Sequence, residues 1–416
     1  MWILFPCLPS PTLRYAKDMK NKTSALHGLK VLDLSRVLAG PWASQMLGDM
    51  GAEVIKIEHP KGDDTRQWGP PFIGKTSAYF ACVNRNKKSV AVNLKTAAGQ
   101  KIIHDLAKDA DVVIENFRSG DAEELNIGYE QLKAVNPDIV YCSISGYGRT
   151  GSRKNDPGYD LLAQSETGVM HITGEVDGQP SKVGVAIVDI TTGMNAAFAI
   201  LAALRHRDSG HGGQHIDISL FDSGLQWLAN VASNTLFTGE DAKRLGNAHP
   251  SIVPYETFTA SDGYFTLCCG NDHQWAHLCR AIGQESWIDS DDYGTNPKRV
   301  QNRMVLIPAL NAIFRQHPRE YWIEKLGDDL PVGKVNTVKE ALETPTTTER
   351  GMKISLKNST GDHIPMLGSP INMSETDPVY TTAPPAVGEH TAEVLKSLGY
   401  DKTAIATLVD NGTVKA

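Results

Sequence analysis

From Leu29 to Ser145 the chain alternates short apolar runs with helical stretches, and that alternation leaves few folds open. Residues 31–34 read as a strand, followed by a loop from Ser35 to Gly40. Pro41 suits the first position of a helix, Trp42, Met46 and Met50 recur at i, i+4 spacing, and Gly51 stands where a C-terminal cap belongs. A second strand spans 53–58. A helical stretch with Ile102, Ile103, Leu106 and Ala110 then leads into strands at 111–116 and 139–144. Runs that are apolar at consecutive positions must be covered on both faces, so the pattern predicts βαβ units, a mainly parallel sheet and right-handed crossovers. Ligands of such sheets bind beyond the carboxyl ends of the strands, and chemistry is sought in the loops that follow them.

Residues 194–204 form a small-residue apolar helix, and a Gly/His-rich turn at 209–215 feeds an alternating strand at 216–220. The pattern then changes. Residues 255–259 and 264–268 flank the turn Ala260-Ser261-Asp262-Gly263 as a hairpin, and helical segments follow to about Leu326. Residues 344–386, rich in Thr, Pro and Ser, read as an extended crossing before a last helix that carries Val394, Leu395 and Leu398 and stops at Gly399. The expected organisation is a tail or presequence at 1–28, the first part of a large domain at 29–235, a small domain at 236–343, and a return to the large domain at 344–416.

Composition removes several function classes. Subtracting 48 Asp+Glu from 41 Lys+Arg leaves a formal charge of -7, which argues against holding nucleic acid by counterion release. Six scattered cysteines do not make a disulfide framework in 416 residues, and a reducing compartment follows. No apolar run suggests a membrane span, and the apolar start at 2–8 has its positive charges after it, the reverse of a secretory signal. Arg14, Lys17, Lys20 and Lys22 against a single Asp18 read as a mitochondrial presequence. Pro6, Pro9 and Pro11 would spoil its amphipathic helix and leave instead a disordered tail on a cytoplasmic protein.

Three motifs yield to physical objections. Gly69-Pro70-Pro71-Phe72-Ile73-Gly74-Lys75-Thr76 fits a phosphate-binding loop letter for letter, but Pro70 and Pro71 have no N–H to aim at a phosphate. A dinucleotide reading would use Glu58 for a ribose, but the first loop offers Gly40 alone and not three glycines. Cys268, Cys269, His273, His277 and Cys279 lack the glutamate and the spacing of a zinc hydrolase, so no metal is expected. What remains is Asp189, where an apolar stretch ends and a helix opens. It is either an N-cap or a carboxylate kept ionised by the helix dipole and able to attack an acyl carbon, and the residues alone leave both open.

From Leu29 to Tyr400 the sequence resembles the class III CoA-transferase family, the formyl-CoA transferase type. The resemblance rests on Leu38-Ala39-Gly40-Pro41, on the run from Leu47 to Glu58, and on Asn84-Arg85-Asn86-Lys87-Lys88-Ser89. Glu115-Asn116-Phe117, Ser145-Gly146-Tyr147-Gly148 and Gly388-Glu389-His390-Thr391 complete it. Within the family it is most similar to the branch acting on succinyl-CoA and glutarate, through the segments 62–72 and 248–255.

The resemblance implies a Rossmann-like, discontinuous large domain with a smaller α+β domain, and an interlocked homodimer. It implies Asp189 as nucleophile, passing through a mixed anhydride and an aspartyl-CoA thioester. Arg85 becomes the candidate for the distal carboxylate of a dicarboxylic acyl chain, Tyr159 lines the acyl site, and Val37, Leu38, His59 and Asn116 line the CoA site. Coenzyme A is then a substrate, with no permanently bound cofactor. Backbone N–H groups near Thr191 to Gly193 are expected to help hold an oxyanion, and Arg85, Lys87 and Lys88 to concentrate positive charge for the polyanion. Tyr159 and Thr259 stand where racemases of this fold place a histidine and a glutamate, which favours transfer over racemisation; a non-catalytic CoA-binding protein is the other alternative. Glu124, where many relatives carry an arginine, and the lack of a glycine-rich lid are departures from the family pattern.

Overall fold

The computed structural model describes residues 24–416, and the presequence reading falls mostly on 1–23, outside the described residues. The chain divides into two units: one holds residues up to Val169, then Val183–Ala232 and Pro345–Ala416, and the other holds Met170–Lys182 and Ser233–Thr344. Nothing in the sequence pattern marks Met170–Lys182 as an excursion into the second unit.

The first unit is built on β1 (Lys30–Asp33), α1 (Ala39–Asp49), β2 (Glu53–Glu58), β3 (Lys87–Val92), α2 (Ala97–Ala107), β4 (Val112–Glu115) and β5 (Val140–Ser145). It continues through α3 (Asp160–Glu166), α4 (Ile187–His206), β6 (His215–Ser219) and α5 (Leu220–Trp227), and closes with α6 (Thr391–Ser397), α7 (Lys402–Asp410) and β7 (Val414–Lys415). Seven strands run in the order β7-β3-β2-β1-β4-β5-β6, all parallel except β7, which pairs antiparallel with β3. Consecutive apolar residues do face opposite cores: Leu32, Ile55, Val90 and Val113 pack with α2, whereas Val31, Val54, Val112 and Val140 pack with α1 and α4. Because β1 to β3 build outward in one direction and β4 to β6 in the other, the strand order reverses between β1 and β4. A crevice opens beyond the carboxyl ends there.

Several local expectations change. The Leu26 N–H donates to the Met50 carbonyl and Leu26 packs against the sheet core, so residues 24–28 belong to the ordered unit. Helix α1 starts at Ala39, which makes Pro41 its third residue; the first turn has no intrahelical N–H bonds to lose, so a proline is tolerated there. The apolar helix starts at Ile187, seven residues before the expected 194. Extended to His211, it is long and apolar enough by composition to cross a membrane, contrary to the expectation of no such run. It is a core helix: Val188, Thr192, Ala196 and Ile200 are buried, and at Gly193 an added Cβ would fall 2.5 Å from the Ala39 carbonyl oxygen. That missing side chain lets α4 press on α1. The crossing contains an antiparallel hairpin, Lys353–Lys357 with His363–Leu367.

The second unit has a three-stranded antiparallel sheet, Tyr255–Ala260, Gly263–Cys268 and Val332–Lys334, packed on helices that include Asp272–Ala281 and Arg303–Phe314. Phe258, Phe265, Trp275, Phe314 and Trp322 fill its core, with Cys269 and Cys279 as buried free thiols. No group of His, Cys, Asp or Glu fit to hold a metal occurs among the described residues.

Candidate active site

Asp189 is the third residue of α4, and its backbone N–H is one of the orphan donors of the first turn. The side chain that caps this helix is Asp160, the first residue of α3: its Oδ1 accepts from the N–H of Val188 at 2.8 Å and of Asp189 at 3.2 Å. Gln164 Nε2 donates to Asp160 Oδ2 at 2.6 Å and fixes the carboxylate's plane. Asp189 is therefore neither an N-cap nor a carboxylate kept ionised by the dipole. The positive helix end is spent on Asp160, and burial, together with the Asp160 charge, pushes the Asp189 carboxyl up to about 7. The N–H groups of Thr191 to Gly193 are committed to the helix ladder, which rules out the expected oxyanion role for them.

Around Asp189 a cleft of about 250 Å³ gathers Val37 and Leu38 from the loop after β1, Asn116 from the end of β4, and Tyr159 and Asp160 from the loop after β5. Gly146 and Gly158 let the two limbs of that last loop touch, since a Cβ on Gly146 would lie 2.6 Å from the Gly158 Cα. The Tyr159 ring is 70% exposed. Arg36, Arg118 and Lys154 are the cations of this cleft. His59 lines an adjoining cleft of about 390 Å³ with Lys61, Lys95 and, again, Arg36.

Five of the seven residues singled out by sequence thus share one cleft, His59 lies in the next, and Arg85 lies in neither. It lines a separate, largely apolar cavity of about 580 Å³, and its guanidinium is tied down by three hydrogen bonds: Nε and Nη2 donate to Asp49 at 2.8 and 2.5 Å, and Nη1 to the Leu367 carbonyl. Asp49 takes the Nε/Nη2 edge, the one that would grip a carboxylate bidentately. The positive concentration expected at Arg85, Lys87 and Lys88 is likewise cancelled, because Lys87 is buried against Asp33 and Lys88 bridges Glu53 and Glu393. The cations of the Asp189 cleft are instead Arg118, Lys154 and Arg36, the last 3.4 Å from Asp64, in a lining that also holds Asp156 and Asp160.

The matching family model is CoA-transferase family III, aligned over residues 26–391. The chain belongs to that family. It is 42% identical over 406 residues to a human protein named succinyl-CoA:glutarate CoA-transferase, covering 97% of this chain and 92% of the relative. It is also 42% identical to the succinate–glutarate CoA-transferase of Agrobacterium fabrum, covering 92% and 97%. A crystal structure of a CAIB/BAIF family protein from Brucella suis superposes with a TM-score of 0.83 at 43% identity, covering 91% of this chain and 100% of that one. Relatives at 38% and 37% identity are named for acetyl-CoA with oxalate and for succinyl-CoA with mesaconate.

The protein is thus a family III CoA-transferase, an enzyme whose substrates are CoA thioesters. Sequence reading missed Asp160 and the cleft cations. The signal for Asp160 was present in Gly158-Tyr159-Asp160, an aspartate opening a helix right after a strand-end loop, but its partners on α4 lie 28 and 29 residues away.

The most constrained part of the cleft is the loop after β1. Val37 has φ 69°, a left-handed conformation that costs a β-branched residue about 1–3 kcal/mol. Asn116 spans the strand-order reversal to hold this loop, accepting from the Arg36 N–H at 2.9 Å and donating to the Arg36 carbonyl at 2.8 Å.

Proposed function

We propose that the enzyme moves CoA from succinyl-CoA to glutarate or another short dicarboxylic acid, with Asp189 as the carrier. The carrying observation is the Asp189 carboxylate at the head of α4, half-buried in the cleft beside Asp160 with no cation paired to it. An ionised Asp189 oxygen attacks the thioester carbonyl and expels CoA thiolate, leaving a mixed anhydride. The thiolate attacks the aspartyl carbonyl, releasing succinate and forming an aspartyl-CoA thioester. The acceptor carboxylate attacks that thioester, and the expelled thiolate then takes the acceptor's acyl group and frees Asp189.

Each step exchanges one activated carboxyl for another, so no ATP enters. The protein's task is to orient the partners and keep water from the anhydride. A carboxyl poised near 7 suits this use: desolvation that disfavours the anion also makes it a better nucleophile once formed. Arg118 and Lys154, with the exposed Arg36 beside Asp64, are the cations that would meet the distal carboxylate and the CoA phosphates. The exposed apolar face of α4, with Met194, Phe198 and Leu201, supports a homodimer that covers it.

Initial rates with succinyl-CoA and a panel of acceptors test the substrate reading. Glutarate and similar-length dicarboxylic acids are expected to exceed oxalate and monocarboxylic acids in kcat/KM; a preference for monocarboxylic acids would overturn it.

A further inference from the structure

Between β1 and α1 the backbone polar groups are held almost entirely from outside the loop. The N–H groups of Ser35, Arg36 and Val37 donate to Asp33, Asn116 and Asp63. The carbonyl of Ser35 accepts from Lys56 Nζ at 2.9 Å and that of Arg36 from Asn116. On the far side, Lys87 Nζ donates to the Pro41 carbonyl at 2.9 Å inside the first turn of α1. Both lysines are completely buried, and each also meets an acid at 3.0 Å: Lys56 meets Asp63 and Lys87 meets Asp33. A buried ammonium donating to a backbone carbonyl is an uncommon use of a desolvated charge, and here one such bond in the loop and one in the first turn of α1 bracket Val37, the non-glycine left-handed residue of the cleft lining.

We infer that Lys56 and Lys87, with Asp63 and Asn116, are positioning residues: they force Val37 into its left-handed conformation and so shape the wall that receives the thioester end of the CoA substrate. The inference rests on the reading of this cleft as the CoA site. A merely structural network would stabilise the fold without regard to Val37. A positioning network is coupled to it, because the loop relaxes when a clamp is lost only if residue 37 resists a positive φ. Glycine does not resist.

Steady-state kinetics with succinyl-CoA on Lys56→Met, Asn116→Ala and Val37→Gly, and on each clamp variant combined with Val37→Gly, separates the two roles. Lys56→Met and Asn116→Ala are each expected to raise KM for succinyl-CoA about tenfold with kcat changed less than about threefold. Val37→Gly is expected to recover most of that KM in either background. Losses that multiply with those of Val37→Gly, or a KM that does not move, would overturn the inference. If Lys56→Met does not fold, Asn116→Ala, at a half-buried position, decides alone. The underlying reading fails separately: hydrogen exchange with CoA should protect the amides of residues 36–39 and 117–119, and protection confined to other segments would show that CoA binds elsewhere.

Discussion

Asp33, the last residue of β1, and Asp189, the third residue of α4, are aspartates of the same unit, and they end in opposite states. Asp33 is completely buried, which works against its charge, but Lys87 and Lys56 more than offset this and hold its carboxyl at about 2. Asp189 is less deeply buried, but burial there meets no cation to offset it and the Asp160 carboxylate adds to it, so the carboxyl rises to about 7. Burial alone does not decide the ionisation of a carboxyl; the sign of the neighbour does. Around Asp33 charges alternate and every group is satisfied, as suits a part that must not move. Around Asp189 the helix end has been given to Asp160, so the proposed nucleophile would keep its reactivity at some expense to the fold.

The largest effect should come from the proposed nucleophile, Asp189. Asp189→Ala is expected to lower turnover of succinyl-CoA by at least about 10³-fold while Asp33→Asn lowers it far less in whatever fraction remains folded, both read as kcat of soluble protein. Comparable kcat losses would erase the distinction between the two aspartates.

Next comes stability. Lys87→Met leaves Asp33 buried without its partner and should cost about 3–5 kcal/mol in chemical denaturation, and Asp33→Asn with Lys87→Met should recover most of that. The neighbouring Lys88, partly exposed between Glu53 and Glu393, should cost under about 1 kcal/mol as Lys88→Ala, and less at high salt.

The two aspartates also pull stability in opposite directions with pH. Asp33 titrates lower in the folded chain than in the unfolded one, so its contribution is present above about pH 4 and is lost as pH falls toward 2. Asp189 titrates higher when folded, so ionising it destabilises the fold as pH rises from about 4 through 7. Asp189→Asn should therefore raise Tm by a few degrees at pH 8 and change it little at pH 4.

Activity gives the smallest and most specific shift. kcat/KM should rise with pH and level off above about 7 as Asp189 ionises. Asp160→Asn removes the like charge and leaves burial, the larger cause, so the midpoint should move down while staying above the usual carboxylate range. The amide can still accept from the N–H of Val188 and Asp189, but its nitrogen would face Gln164 Nε2, so some loss of kcat should accompany the shift.

Much of this fold is legible in the sequence because both faces of the sheet are covered, and consecutive apolar residues at 31–32, 54–55 and 112–114 have no other explanation. The start of α4 was not legible. In the sequence an apolar stretch ends at Asp189 and the helix opens after it, whereas in the structure the helix already starts at Ile187, its head capped by a carboxylate from a different helix. The clustering of Val37, Leu38, Asn116, Tyr159 and Asp189 follows from family resemblance; spacing alone left Asp189 between cap and nucleophile. Arg85, Lys87 and Lys88 show the limit most clearly. Three cations within four residues suggest an anion site by composition, whereas β3 turns Lys87 inward and Lys88 outward, and each of the three meets an acid brought by another element.

The central claim is that Asp189 carries the transferred group, and trapping it is the most direct measurement. Enzyme incubated with succinyl-CoA and quenched with hydroxylamine, then digested and read by mass spectrometry, should carry a hydroxamate on Asp189, in a yield that falls as acceptor acid is added before the quench. An unmodified Asp189 in enzyme that turns over at its full rate would contradict the account.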